Sequence, residues 1–261
     1  MPYAKVNDIN MYYEIHGEGE PLVLISGLGG SAVAWEPIIP IFSDNYKVIV
    51  FDNRGVGRTD APDIPYSMEM MADDISGLLE KIGIERANVY GESMGGIVAQ
   101  FFALRHPKKV IKLILQSTSC LGSHAVMASD EVLKYLENQA KTTERDDNPL
   151  PGITTEFADK NPLIVKELRE RMQRYPAPGM QRQLQASINS EGTYDSLPKI
   201  SAPTLIIHGE ADLLWPVENA RILASRIPNS QVIIYGKTGH QMLESMDEKN
   251  KAVLEFIKKP N

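Results

Sequence analysis

The sequence predicts an α/β protein: a mostly parallel eight-stranded sheet, helices on both faces, and a helical cap inserted late in the chain. Three observations carry this expectation. Short β-rich runs alternate with helical periodicity from Pro21 to His106, the pattern of right-handed βαβ crossovers. Those runs are apolar on both faces, as strands covered from two sides must be. Residues 121–199, in contrast, carry helical patterns and no strand candidate.

The elements follow in order. Residues 3–16 alternate weakly through Ile9, Met11, Tyr13 and Ile15, which fits an antiparallel strand pair at the sheet edge. A strand at Leu22–Ile25 leads to a helix over Val33–Phe42, then a strand at Tyr46–Phe51 and a helix over Met68–Ile82. A strand at Ala87–Tyr90 meets a helical run at Ile97–Leu104, and Val110–Leu115 is another buried strand. The cap offers helices near 129–142, 162–174 and 177–189, broken by the Pro/Gly clusters at 148–152 and 176–179. Asn161 before Pro162 is a capping residue followed by proline at the first helical position. Alternation resumes with strands at Pro203–Ile207 and Gln231–Tyr235 and helices over Val217–Arg226 and Gln241–Lys258. The expected organisation is therefore a core of residues 1–120 and 200–261, with the cap at 121–199 between the sixth and seventh strands.

Composition narrows the partners. The 261 residues suit one large domain with an insertion, and 43% hydrophobic with 23% charged residues is ordinary for a globular chain. A net charge of −7 with scattered Lys and Arg argues against nucleic acid. The N-terminus lacks an apolar core with a basic flank, and no apolar run approaches the ~20 residues that cross a bilayer, so no membrane partner is expected. The lone Cys120 excludes an internal disulfide and fits a reducing, cytoplasmic location. There is no His/Cys cluster with metal spacing, no phosphate-binding loop ending in Lys-Ser/Thr, and no cofactor is expected.

The chemistry concentrates at Gly91-Glu-Ser-Met-Gly-Gly96, between a strand and a helix. Glycines two residues either side of Ser93 permit a sharp turn that lifts a hydroxyl off the sheet edge, beside the first free N–H groups of the helix. A serine nucleophile needs a base, and the base needs a carboxylate to hold its tautomer. In a parallel sheet these should come from other loops at the C-terminal strand ends. Asp212, after Leu205–Ile207, and His240, after Gln231–Tyr235, stand there, giving the chain order Ser, Asp, His.

With these motifs the chain resembles the α/β-hydrolase superfamily, in its cap-bearing esterase and lactonase branch, over residues 3–118 and 200–258. The resemblance implies Ser93 as nucleophile, His240 as general base and then acid, and Asp212 as its orienting partner. It also implies oxyanion donors at the backbone N–H of Leu28 and Met94. Ser26 replaces the histidine that many members carry in the Ser26-Gly-Leu-Gly-Gly30 loop. Trp35 and Leu213, near the active loops, are candidates for the substrate pocket. Met127, Met172, Met180, Tyr135 and Tyr175 are available in the cap, where helix packing competes for them. The implied reaction is hydrolysis of a small carboxylic ester or lactone through an acyl-enzyme; perhydrolysis, carbon–carbon bond hydrolysis or ligand sensing on the same triad stay open.

Several residues compete for these roles. Glu210, two residues before Asp212, is an alternative acid, and Glu244 lies one turn after His240 but more simply serves its own helix. Glu92 should alternate away from Ser93 and pair beneath the turn. His208, at a strand end, reads as a packed, hydrogen-bonded imidazole, and His16, His106 and His124 as structural or solvated. Cys120 with His124 is a weak thiol-enzyme pattern. Gly27-Leu-Gly-Gly-Ser-Ala32 also fits a dinucleotide fingerprint, with Asp52 as the ribose-binding acid, although two strands precede it and Pro37 and Pro40 interrupt its helix. Arg54 and Arg58, in the Gly-containing turn after Phe51, are expected to brace the core.

Overall fold

A computed structural model of the chain describes residues 2–141 and 152–260. In chain order its elements are β1 (Tyr3–Val6), β2 (Ile9–His16), β3 (Glu20–Ile25), a 3₁₀ turn (Ala32–Trp35), α1 (Ile39–Ser43), β4 (Tyr46–Phe51), α2 (Met68–Lys81), β5 (Ala87–Glu92), α3 (Met94–Arg105) and β6 (Val110–Gln116). There follow α4 (Asp130–Lys141), α5 (Thr155–Lys160), α6 (Pro162–Gln173), α7 (Met180–Ile188), β7 (Thr204–Gly209), α8 (Glu218–Arg226), β8 (Ser230–Tyr235) and α9 (Met246–Lys258). The eight strands form one sheet in the order β1-β2-β4-β3-β5-β6-β7-β8. Only β1 with β2 and β2 with β4 pair antiparallel, and the expected edge pair is there.

Strand alternation sorts the core into two layers. Along β3, Val23 and Ile25 join Ile49, Phe51 and Val89 beneath α2, α3 and α8. Leu22 and Leu24 join Val48, Val50 and Tyr90 beneath α1 and α9. Each such aliphatic side chain contributes about 1.5–3 kcal/mol through burial, and a one-residue register slip would exchange the layers wholesale.

Three elements depart from expectation. The helix over Val33–Phe42 is instead a 3₁₀ turn and the short α1, with Pro40 in the first turn of α1; the prolines remove helical donors. The final helix starts at Met246, not Gln241, because Met242 takes φ +53° and the chain turns before α9. Between β6 and β7, α5 adds a helix that sequence periodicity missed. Its Thr154 cap accepts from the Phe157 N–H. Asn161 does precede α6, with Pro162 first, but its side chain donates back to Phe157 O rather than capping. Residue 142 of the first expected cap helix, and the expected break at 148–151, lie outside the described residues.

The segment between β6 and β7 is joined to the core at the start of α7. Gly57 N–H donates to Pro176 O at 2.8 Å and Gly179 N–H to Gly55 O at 2.7 Å. The two glycines nearly touch, since a Cβ on Gly55 would stand 2.8 Å from Gly179 Cα.

Candidate active site

Ser93 sits between β5 and α3 at φ 57°, ψ −125°, outside the regions an L-residue prefers. Holding it there costs about 1–3 kcal/mol, offset by its surroundings. Ser93 N–H donates to Gln116 O at 2.9 Å, and Thr118 Oγ1 donates to Ser93 O at 2.7 Å. The turn is as tight as the sequence requires: a Cβ on Gly95 would lie 2.1 Å from Ile25 O.

Loops after the adjacent strands β7 and β8 bring Asp212 and His240 together. Their approach is locked by Glu210 N–H to Tyr235 O and Ala211 N–H to Thr238 O, both 2.9 Å. Asp212 Oδ2 lies 2.8 Å from His240 Nδ1. Asp212 Oδ1 accepts from the Leu214 and Trp215 N–H groups, each at 2.9 Å. His208 Nε2 stands 2.7 Å from Trp215 O and 3.2 Å from Asp212 Oδ2. A carbonyl only accepts, so His208 Nε2 carries a hydrogen, which the Asp212 carboxylate shares. His208 is the packed, hydrogen-bonded imidazole expected at this strand end; what sequence reasoning did not name is its partner Asp212, for which the signal is the i,i+4 spacing.

Electrostatics follow from this wiring. Burial works to raise the Asp212 carboxyl, yet the charge of His240 and hydrogen bonds from both histidines hold it well below the usual carboxylate range. Burial works against protonating His240, but Asp212, with a contribution from Glu92, holds the imidazole above its ordinary value.

Ser93 and His240 line one cavity of about 180 Å³, with Glu92 and the Leu28 loop in its floor and Leu168, Arg171, Met172 and Met180 in its roof. No hydrogen bond joins Ser93 to His240 among the described residues, a separation common in ligand-free sites. Two amides beside Ser93 are unclaimed. Neither the Leu28 nor the Met94 N–H has an acceptor among the described residues. Met94 opens α3, where the first N–H groups lack helical partners. The Leu28 loop is packed against the serine, since a Cβ on Gly27 would lie 3.0 Å from Ser93 Cβ. Gln183 of α7 holds the same loop, accepting from Gly29 N–H at 2.9 Å and donating to Arg54 O at 2.8 Å. Ser26, at the expected histidine position, donates to Ser31 O across this loop at 3.0 Å.

Other expectations need correction. Trp35 is not in the pocket: it is buried in the core with its ring 5.3 Å from Tyr90, and Ala34 lines the cavity instead. Leu213 is 58% exposed, because the turn closed on Asp212 Oδ1 sends Leu214 inward in its place. Tyr135, Met172 and Met180 do line the cavity, while Met127 is exposed and Tyr175 stacks on Arg58. Glu244 serves neither His240 nor its helix, but accepts from Thr154 and from Gly239 N–H. Glu92 is among the residues lining the cavity, and among the described residues its carboxylate makes no hydrogen bond or ion pair beneath the turn, Lys249 acting on it only through space. Burial raises its carboxyl above the usual range despite the nearby Lys249 and His240. Lys249 is itself buried, which brings its amine down to about 8 against the pull of Glu92, and it donates to Gln116 at 3.1 Å.

The dinucleotide reading fails on Asp52. Its carboxylate is fully buried and occupied by the Ala32 and Arg58 N–H groups and the Arg58 guanidinium, at 2.8–2.9 Å, leaving nothing for a ribose. Arg54 braces the core as expected, between Asp8 and Asp74. Cys120 is buried, and burial raises its thiol above the ordinary value. His124 stacks on Tyr194 at 3.7 Å. Among the described residues no helix is long and apolar enough to cross a membrane, and no group of three acidic, His or Cys residues is placed to hold a metal.

A sheet of this order, with a serine on a strand-to-helix turn facing a His–Asp pair, defines a class of protein. The family model for the alpha/beta hydrolase fold matches residues 20–245, and the chain belongs to that family, as an α/β hydrolase. RutD, a candidate carbamate hydrolase of Pantoea ananatis (strain LMG 20103), is 31% identical over 260 residues, covering 95% of this chain and 94% of that protein. The 2-hydroxymuconate semialdehyde hydrolase of Pseudomonas sp. (strain CF600) is 29% identical, over 86% and 81%. Among solved structures, the enol-lactonase from Burkholderia xenovorans LB400 superposes with TM-score 0.87 at 27% identity, covering 99% of this chain and all of that one.

Proposed function

We propose that this chain hydrolyses a small carboxylic ester or lactone through an acyl-enzyme on Ser93. The observation that supports this best is Ser93, strained on its turn, sharing a cavity with an imidazole whose far nitrogen is held by Asp212. His240 Nε2 takes the Ser93 proton as Oγ bonds to the carbonyl carbon, and the Leu28 and Met94 N–H groups receive the oxyanion. Collapse breaks the bond to the leaving oxygen, which takes the proton from His240. Water then repeats the sequence on the acyl-enzyme, releasing the acid and restoring Ser93. Asp212 keeps the hydrogen on Nδ1 and stabilises the imidazolium.

The small cavity favours a short acyl group, since drug-sized ligands occupy pockets of roughly 300–1,000 Å³. The likeness to an enol-lactonase supports the lactone arm of the proposal. A panel of 4-nitrophenyl esters of graded acyl length, run beside lactones with wild type and Ser93→Ala, tests the reading. Saturable hydrolysis of short substrates that vanishes in the variant is expected; equal turnover by both proteins overturns it.

A further inference from the structure

The roof of the cavity contains one cation that no described residue neutralises. Of the described arginines between β6 and β7, Arg174 pairs with Glu36 at 2.5 Å, Arg182 with Asp63, and Arg169 is also engaged. Arg171, on α6, makes no side-chain hydrogen bond or ion pair among the described residues, and lines the cavity that holds Ser93 and His240. Its helix packs against the 3₁₀ turn that follows the Leu28 loop. A guanidinium is a planar fork of donors suited to a carboxylate, and it does not escape its charge by deprotonating. In a chain of net charge −7, an arginine with no partner among the described residues, lining a partly apolar cavity, has a ligand as its natural partner.

We propose that Arg171 binds a carboxylate on the substrate, so that the molecule cleaved is a short ester or lactone bearing a free acid group. This deepens the ester or lactone reading and rests on it. The charge is matched by one carboxylate. A phosphate monoester would bring nearly two negative charges into a cavity that also contains Glu92.

Binding tests this without turnover. Glutaramate and glutaramide differ by the anion alone, and calorimetry on wild type, Arg171→Gln and Arg171→Lys measures each. Wild type is expected to bind glutaramate about 10- to 100-fold more tightly than glutaramide, a charge-assisted hydrogen bond's worth. Arg171→Gln should erase that preference, and Arg171→Lys should keep part of it. Equal affinity for both probes, no binding of either, or a preference that survives in Arg171→Gln overturns the proposal. In parallel, kcat/KM is measured for the 4-nitrophenyl monoester of glutarate and its methyl-blocked counterpart. If Arg171 governs binding but neither ester is cleaved, the hydrolytic reading fails while the anion site stands. If both are cleaved at equal rates by wild type and Arg171→Gln, the anion site fails while the hydrolytic reading stands.

Discussion

Asp212 Oδ2 is 2.8 Å from His240 Nδ1, and the same oxygen lies 3.2 Å from His208 Nε2, so one buried carboxylate orients two imidazoles. Glu210, in the same loop, contacts neither. Asp212→Asn should therefore lower kcat by roughly 10⁴-fold by favouring the wrong His240 tautomer. Glu210→Gln should leave kcat within about a factor of three, as expected of a side chain outside the hydrogen-bonded chain. Steady-state kinetics on the pair checks this, and a larger loss in Glu210→Gln would reassign the acid.

Ser93 should be the residue that reacts with a fluorophosphonate probe. Mass mapping of the labelled protein is expected to place the adduct on the peptide containing Ser93, and His240→Ala should slow labelling by orders of magnitude. An adduct elsewhere would displace the proposed nucleophile.

The pH profile follows from Glu92. His240 acts as a base when neutral, and its environment holds it above the ordinary histidine value, so kcat/KM should fall with acidification through a limb above 6.5. The Glu92 carboxylate helps to hold the proton on His240. Its removal in Glu92→Gln should therefore move that limb to lower pH, leaving the variant relatively more active in mild acid. An unmoved limb would show that the carboxylate does not act on the base.

Gln183 is the positioning residue to test in the Leu28 loop, the proposed oxyanion site. Gln183→Leu keeps the bulk but strands the Gly29 N–H and the Arg54 carbonyl, at about 1–3 kcal/mol each. If the loop shifts as well, kcat should fall about 10- to 100-fold with KM little changed, as small misplacements at a reacting centre do. Thermal unfolding beside kinetics separates the effects, since a lower Tm with unchanged kcat would make the contact structural only.

Much of this site is legible in the sequence because it depends on order and on strand ends. Ser93, Asp212 and His240 each follow an apolar run that is unmistakably a strand, and a parallel sheet places all such ends on one edge. What the sequence hides is direction within a loop. Leu213 and Leu214 are equally apolar neighbours, and only the turn closed on Asp212 Oδ1 decides which faces the cavity. Trp35 departs from expectation for a similar reason, because the short 3₁₀ turn sets it in the core beside Tyr90. Glu92 is the last residue of β5, where strand alternation gives way to the turn, and it is found among the residues lining the cavity. The contacts of Gln183 are tertiary, and no local pattern announces them, whereas the His208 contact with Asp212 spans four residues and is signalled by that spacing.

The near-touching backbones of Gly55 and Gly179 bear on how this architecture diversifies. A roof of another sequence placed on this core would need glycine opposite Gly55 at that seam and an amide side chain able to reach the Leu28 loop. A transplanted roof lacking them would arrive with the wrong spacing and leave the Leu28 loop short of a brace. Substrate range here is therefore easier to vary by altering side chains on α4 and α6 than by trading the whole segment.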